Sequence, residues 1–292
     1  MDVLVCIKRV PMSGGKFVLT ADEQDIETKR LGFTISPHEE CAVEEAVRLA
    51  EKHGGSVTVL TLGVPEAAEQ IREQMAIGAD RGILLETDGV EWDPQATAEA
   101  IVKAVKADET SFDLVMFGNE SADASGYQVG IRVAHALGMP AVTGIKAMNV
   151  DEGGTLHCER PAGAGKESYA LPLPAVVTVK EGLNLPRYPS VPGRIRAKKK
   201  PIESSTPTRP EARLKKVGLV VPPTGGKKVQ VLGKGAGLPH FEIRTRGRRS
   251  VRVRDGDESA TGPVVIQSNR ICQGDRSCNI GVAAAIGDGP DG

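Results

Sequence analysis

A chain of 292 residues, 40% hydrophobic and 26% charged, is long enough to bury a sizeable core and has the balance of an ordinary globular protein. Its formal net charge of −1 gives no global attraction to nucleic acid or to an anionic membrane surface, so any polyanion site has to be local. Aromatic residues make up only 3%, which argues against an extended groove that stacks single-stranded bases.

The first 140 residues alternate strand and helix signals. Val3–Val10 (VLVCIKRV) is a compact apolar run ending in charge and predicts the first strand. The next stretch, to about Ile35, reads as two short extended pieces arranged as a hairpin. Ser36-Pro37-His38-Glu39 predicts a helix start: serine at the N-cap, proline at the first position, and glutamate at the third to complete a capping box. Ala42, Val43, Ala46, Val47, Leu49 and Ala50 give that helix its apolar face. Ser56–Gly63 predicts a second strand, and Pro65 opens a second helix that closes near Gly78. Arg81–Glu86 is a third strand. Asp93-Pro94 starts a third helix, with Ala98, Ile101, Val102 and Val105 on one face. Asp113–Gly118 predicts strand four, Ser125–Leu137 helix four, and AVTGIKAMNV a further strand. Alternation of this kind means crossover connections and an open, Rossmann-like, mostly parallel sheet.

From Gly154 to Val179 the period changes, and TLHCERP, ESYALPL and AVVTVK read as an antiparallel extension of that sheet. Glu181–Glu203 then packs four prolines and six basic residues into one stretch, the composition of a solvated basic linker when taken alone. Beyond Ser204 the chain turns proline-rich and polar, with weak strand signals at VGLVV and KKVQVLG. From about Gly237, with six arginines between Arg244 and Arg254 and a Gly/Asp-rich end, it reads as an extended, disordered tail. The expected division is a nucleotide-binding α/β domain over 1–204 that includes the loop 181–203, an arm over 205–236, and an atypical tail over 237–292.

Cys6, Cys41, Cys158, Cys272 and Cys278 are scattered, odd in number and without a CxxC, so neither a disulfide framework nor a zinc site is indicated. The opening residues place their apolar run before the basic pair, the reverse of a secretory signal. No apolar run approaches the ~20 residues of a membrane span. The expectation is a cytoplasmic chain, or a mitochondrial-matrix one in a eukaryote, with no membrane insertion and no bound metal.

In an open parallel sheet, ligands sit at the carboxyl ends of the strands where strand order reverses. Four segments converge there: Cys6-Ile7-Lys8, Ser36–Glu39, Leu62-Gly63 and Gly118–Gly130. The last, GNESADASGYQVG, is a long polar connection between a strand and a helix. The N–H groups of Gly126, Tyr127, Gln128 and Val129 are expected to face outward from the helix start as a phosphate seat, with Asp123 available to a ribose hydroxyl. A plain polar loop fits the spacing equally well. SGGK at Ser13–Lys16 fails as a Walker A because Val10 and Phe17 stand where glycine and Ser/Thr are needed. The histidines are isolated in sequence and no hydrolase or deaminase motif is present, so nothing argues for a reaction at protein side chains.

With these residues assembled, the sequence resembles the beta subunit of electron transfer flavoprotein. The likeness covers about residues 1–204 and rests on five segments in family order. They are VLVCIKRV, SPHEECAVEEAVRL, GADRGILLE, ADASGYQVG and LPAVVTVKEGLNLPRYPSVPGRIRAKKKPIE. The resemblance implies an electron-carrier subunit, not an enzyme. Such a subunit binds AMP structurally and pairs with an alpha subunit that holds FAD. Electrons then pass from acyl-CoA and related dehydrogenases through that flavin to electron transfer flavoprotein-quinone oxidoreductase and the respiratory chain, as in fatty acid oxidation. Its AMP contacts would be Cys6, Ser36, Pro37, His38, Glu39, Leu62, Gly118, Asn119, Asp123, Ser125, Gly126, Tyr127, Gln128 and Val129. The proline-rich basic stretch would be its partner-docking loop: Pro186, Arg187, Tyr188, Pro192, Arg194, Lys198, Lys199 and Lys200 around an apolar anchor at Val191.

Departures from the family pattern are local. Pro161 and Ala162 replace an acidic residue and glycine before LPAVV, Arg194-Ile195 follows the anchor, and the arginine-rich tail lacks the expected terminal helix. Two alternatives remain open at the level of sequence. One is an electron-bifurcating relative with a second FAD in the AMP position. The other is a stand-alone adenine-nucleotide sensor of the universal-stress type.

Overall fold

A computed structural model describes residues 1–12, 18–214 and 216–221, with two further short strands at Glu242–Arg244 and Ser250–Arg252. The chain divides into two compact units, Met1–Val220 and Val221–Gly292. In the first unit the alternating signals produce strands β1 (Val3–Ile7), β2 (Val10–Pro11), β3 (Phe33–Thr34), helix α1 (Pro37–His53) and β4 (Val57–Gly63). They continue as α2 (Ala68–Ile77), β5 (Arg81–Glu86), α3 (Pro94–Ala107), β6 (Leu114–Gly118) and α4 (Val129–Leu137). After them come β7 (Ala141–Ile145), β8 (Ala147–Val150), β9 (Thr155–Ala162), β10 (Gly165–Pro172), β11 (Ala175–Val179), α5 (Val191–Ala197) and β12 (Ile202–Ser205).

Seven strands form one parallel sheet in the order β12-β5-β4-β1-β6-β11-β7. The chain builds outward from β1 to β4 and β5, then returns to place β6 on the other side of β1. Strand order therefore reverses between β1 and β6, which is where an open α/β sheet offers a crevice. The near-continuous apolar runs of these strands follow from burial on both faces. Helices α1 and α2 pack with Val3, Val5, Val57, Val59, Leu114 and Met116 on one face. Helices α3 and α4 pack with Leu4, Leu60, Val115, Phe117 and Val176 on the other. Leu4, Leu60, Leu114 and Met116 are fully enclosed, each contributing ~1.5–3 kcal/mol relative to exposure.

The α/β class and parallel sheet expected from the alternation are those observed, with an antiparallel sheet in addition. That second sheet, β10-β9-β8, is a separate three-stranded one. AVVTVK does not belong to it: β11 inserts between β6 and β7 as an interior parallel strand, fully buried along its length. AVTGIKAMNV is split between the two sheets at Lys146, and within β7 the φ of +68° at Gly144 accompanies a shift in the pairing with β11. Val217–Val221 forms no strand; no neighbouring ladder accepts it, and its fixed points are the Leu219 N–H on the Glu23 carbonyl (2.8 Å) and the Val217 carbonyl on Gln24 (3.2 Å). In the second unit, Glu242–Arg244 pairs antiparallel with Ser250–Arg252. The Ser13–Lys16 turn, the KKVQVLG signal and most of the tail expected over 237–292 lie outside the described residues.

Candidate nucleotide cleft and docking segment

The cleft at the β1/β6 reversal is built from short-range necessities. Ser36 is extended (φ −75°, ψ 150°) and Pro37 occupies the first helical position, as the capping signal predicts. Glu39 folds back so that its carboxylate accepts the Ser36 N–H at 2.9 Å and, from the end of β1, the Lys8 N–H at 3.0 Å. The Ser36 hydroxyl donates to the Glu120 carbonyl at 3.1 Å, tying the start of α1 to the loop after β6. Gly118 lets the two elements meet: a Cβ there would lie 2.7 Å from Glu39 Cγ and 3.2 Å from His38 Cβ. Lys8 then crosses the cleft to Asp123 at 2.6 Å.

Glu39 is 5% exposed, and burial pushes its carboxyl up to about 8 despite the two N–H donors. A carboxyl held neutral in this way does not repel a phosphate nearby. Because the folded value lies above the ordinary 4.5, the folded chain binds the extra proton between those limits. Stability from this group is therefore present at pH 5 and lost as pH rises toward 8, by at most ~1.4 kcal/mol per pH unit. Denaturant melts should accordingly show the wild type losing stability relative to Glu39→Gln, whose amide is neutral at every pH, as pH rises from 5 to 8; a constant gap across that range would refute the assignment.

Asp123 behaves oppositely. Burial would raise it, but the Lys8 ammonium with hydrogen bonds from Ser121 and Ala124 outweighs this and holds its carboxyl below the ordinary range. Its role in the structure is thus the partner of Lys8, where the sequence suggested a free ribose acceptor. Helix four also starts later than expected. Residues 125–128 stay out of the helix because Ser125 (φ 46°) and Tyr127 (φ 55°) adopt left-handed backbone, and α4 begins only at Val129. The consequence favours a ligand. The N–H groups of Gly126, Tyr127 and Gln128 find no acceptor among the described residues, all three residues are exposed, and a Cβ at Gly126 would meet nothing within 4 Å. Lys8 and Glu120, both within the segments expected to converge at this edge, complete the cleft.

The other predicted contacts divide between cleft wall and interior. Asn119 Oδ1 accepts the Thr178 hydroxyl at 2.9 Å and is fixed by it. His38 is mostly enclosed, its Nδ1 accepting the Glu181 N–H at 2.7 Å and its Nε2 facing Glu120 at 3.4 Å. Leu62 lies beyond the register partner of Cys6 on β4, packed toward the α3 side. Cys6 is buried, and burial with Glu39 nearby raises its thiol well above the usual range, so it forms wall, not chemistry. A separate hollow of about 210 Å³ lies on the antiparallel sheet beside Lys146, Arg160, Pro161 and Lys166. Arg160 pairs with Glu167 (2.6 Å) and Lys166 with Glu159 (2.8 Å), so its cations are largely satisfied.

The 181–203 stretch contains a helix that its prolines and charges did not announce. Ser190 caps α5 by accepting the Gly193 N–H at 3.1 Å, and Pro192 sits in the first turn. Tyr188 is 95% exposed and Val191 72%, with Leu185 and Ile195 also outside. Arg194, Lys198 and Lys199 are exposed as well. Two of the basic residues are committed inward. Lys200 Nζ donates to the Ala79 carbonyl at 2.6 Å, with Gly78 and Met75 carbonyls at 3.5 Å, where it complements the C-terminal end of α2. Arg187 is held by Glu44 (2.9 Å) and Glu51 (2.7 Å) on α1.

Residues 25–210 match the family model for the electron transfer flavoprotein domain. The chain belongs to the electron transfer flavoprotein beta-subunit family. It is 36% identical over 205 residues to the electron transfer flavoprotein subunit beta of Bacillus subtilis, covering 70% of this chain and 78% of that one. Against the corresponding subunit of Syntrophomonas wolfei it is 34% identical over 232 residues, 79% and 90% of the two chains. With that of Mycobacterium leprae the figures are 36% over 236 residues, 79% and 87%. Membership assigns the chain to electron transport. Among the described residues no helix is long and apolar enough to cross a membrane, and no cluster of side chains suits a metal ion.

Proposed function

We propose that the chain is the beta subunit of a heterodimeric electron transfer flavoprotein. In this reading it binds AMP as a structural element in the β1/β6 cleft. It docks acyl-CoA and related dehydrogenases through residues 181–203, while FAD is held mainly by the alpha subunit. The observation carrying the nucleotide assignment is the row of N–H donors at Gly126–Gln128, unclaimed among the described residues, at the exposed start of α4. Such a terminus accepts a phosphate through its amides and its positive dipole end. AMP suits the site because one phosphate matches one short row of donors. Bound only to the folded chain, it stabilises by linkage.

The residues of this chain then act by position. Ser36 and Glu39 fix the first turn of α1, Lys8 neutralises Asp123, and Pro186, Pro189 and Pro192 limit the backbone freedom lost when a partner arrives. Tyr188 and Val191 supply apolar contact, and Arg194, Lys198 and Lys199 supply positive charge that speeds encounter with an acidic surface. FAD held by the alpha subunit would supply the redox chemistry, with the quinone oxidoreductase as the electron acceptor. At Pro161 and Ala162 this chain offers that flavin no carboxylate.

Heat-denaturing the complex co-purified with its alpha subunit and identifying the released nucleotides tests the reading. One AMP and one FAD per heterodimer is the expected result. Two FADs would replace the AMP assignment, and a lone chain carrying ATP would make it a nucleotide sensor.

A further inference from the structure

Residues 181–187 lie along α1 like a strap, and their contacts advance down the helix in order. The Glu181 N–H donates to His38 (2.7 Å), and Asn184 Nδ2 donates to the Cys41 carbonyl (3.0 Å) and the Glu45 carboxylate (2.9 Å). Arg187 ends the strap. Its guanidinium donates twice to Glu44 (2.9 and 3.2 Å) and twice to Glu51 (2.7 and 3.0 Å), and its backbone N–H donates to Glu44 at 3.1 Å. Glu44 is only 2% exposed and also takes Arg48 at 2.6 Å. A planar two-carboxylate clamp of this kind fixes direction as well as distance, which a lysine point charge does not.

A second fixed point follows within six residues. Helix α5 packs on α2, Gly193 pressing close against the Ala76 carbonyl, and Arg72 of α2 donates to the carbonyls of Ala197 (2.7 Å) and Lys200. Tyr188, Pro189, Ser190 and Val191 therefore form a short bridge between a clamp on α1 and a packed helix on α2. Its two apolar side chains point almost wholly into solvent.

We propose that Arg187 is the positioning residue of the docking surface: by locking onto Glu44 and Glu51 it holds Tyr188 and Val191 in the orientation a dehydrogenase meets, without touching the dehydrogenase itself. This rests on the docking reading above and gives one of its basic residues a different task. Without the clamp the nearest fixed point on the α1 side falls back to Asn184, four residues before Tyr188, and the bridge is held closely only at α5. The partner must then order it on binding, at the cost of immobilising one or two side chains, equivalent to about a tenfold loss of affinity.

The test uses the intact heterodimer with FAD bound, an acyl-CoA dehydrogenase reduced by its own substrate as electron donor, and amide exchange over residues 185–191. Arg187→Gln should raise KM for the heterodimer about tenfold with kcat within about twofold, and should speed exchange of the residue-187 amide, whose N–H donates to Glu44. Arg187→Lys, which keeps the charge but not the fork, should stay near the Gln variant. Glu51→Gln, at an exposed carboxylate that leaves folding intact, should move KM and exchange in the same direction by a smaller factor. If Arg187→Gln raises KM while Glu44→Gln and Glu51→Gln leave it unchanged, the arginine contacts the partner directly and the proposal fails. Unchanged exchange in Arg187→Gln also overturns it. A wild-type heterodimer that the dehydrogenase cannot reduce would sink the docking reading itself, an outcome distinct from either of those.

Discussion

Replacing Gly118 by valine is expected to strip the heterodimer of its bound nucleotide. The added Cβ would stand 2.7 Å from Glu39 Cγ and 3.2 Å from both the Glu39 nitrogen and His38 Cβ. Two of those atoms sit on the α1 turn close to its backbone, so no flexible side-chain tip can yield. The first turn of α1 has to move away from β6, taking with it the Ser36–Glu120 and Glu39–Lys8 hydrogen bonds that shape the cleft. Overpacking of this kind costs ~1–3 kcal/mol, and alanine at the same site should show a milder form of both effects. Nucleotide released per heterodimer and the denaturant midpoint are the two readouts. Full nucleotide content in the valine variant would mean that the cleft is not where AMP binds.

The second large effect is expected at Gly193. A side chain there would collide with the Ala76 carbonyl oxygen and come within 3.1 Å of Ser190 Oγ. Backbone of α2 cannot retreat, so Gly193→Val should lever α5 off α2 and take Ala197, buried at 2% exposure, out of the core. We expect ~1–3 kcal/mol of lost stability. We also expect at least about a tenfold rise in KM for a dehydrogenase donor, with nucleotide content preserved because the cleft lies elsewhere. Steady-state reduction and nucleotide analysis on the same preparation check both halves. An unchanged KM would show that the position of α5 is irrelevant to docking.

The two glycines mark what each level of description could reach. Gly118 was readable as part of a polar, glycine-rich connection after a strong strand. Gly193 carried no such signal, because its reason for being glycine is a carbonyl on a helix more than a hundred residues earlier in the chain. The same division runs through the basic loop. Arg187 and Lys200 look like their neighbours Arg194 and Lys198 in sequence. Only their partners, Glu44 and Glu51 on α1 and the Ala79 carbonyl after α2, separate the inward-held cations from the exposed ones. Helix α5 itself was hidden because Pro186, Pro189 and Pro192 dominate the local reading. Yet Pro192 in the first turn is compatible with a helix capped by Ser190.

By itself the sequence determined the alternation of strands and helices, the start of α1 at Ser36-Pro37, the start of α3 at Asp93-Pro94, and the family. These depend on apolar period, caps and motifs that act within a few residues of one another. Tertiary structure alone decided that β11 enters the parallel sheet between β6 and β7, that Lys8 claims Asp123, and that Arg187 closes a clamp on α1. Each of these joins residues separated by about 35 to more than a hundred positions. Local propensity is silent about such partners: which strand neighbours which, and which carboxylate meets which cation, is fixed only when burial on both sheet faces sets every element in place.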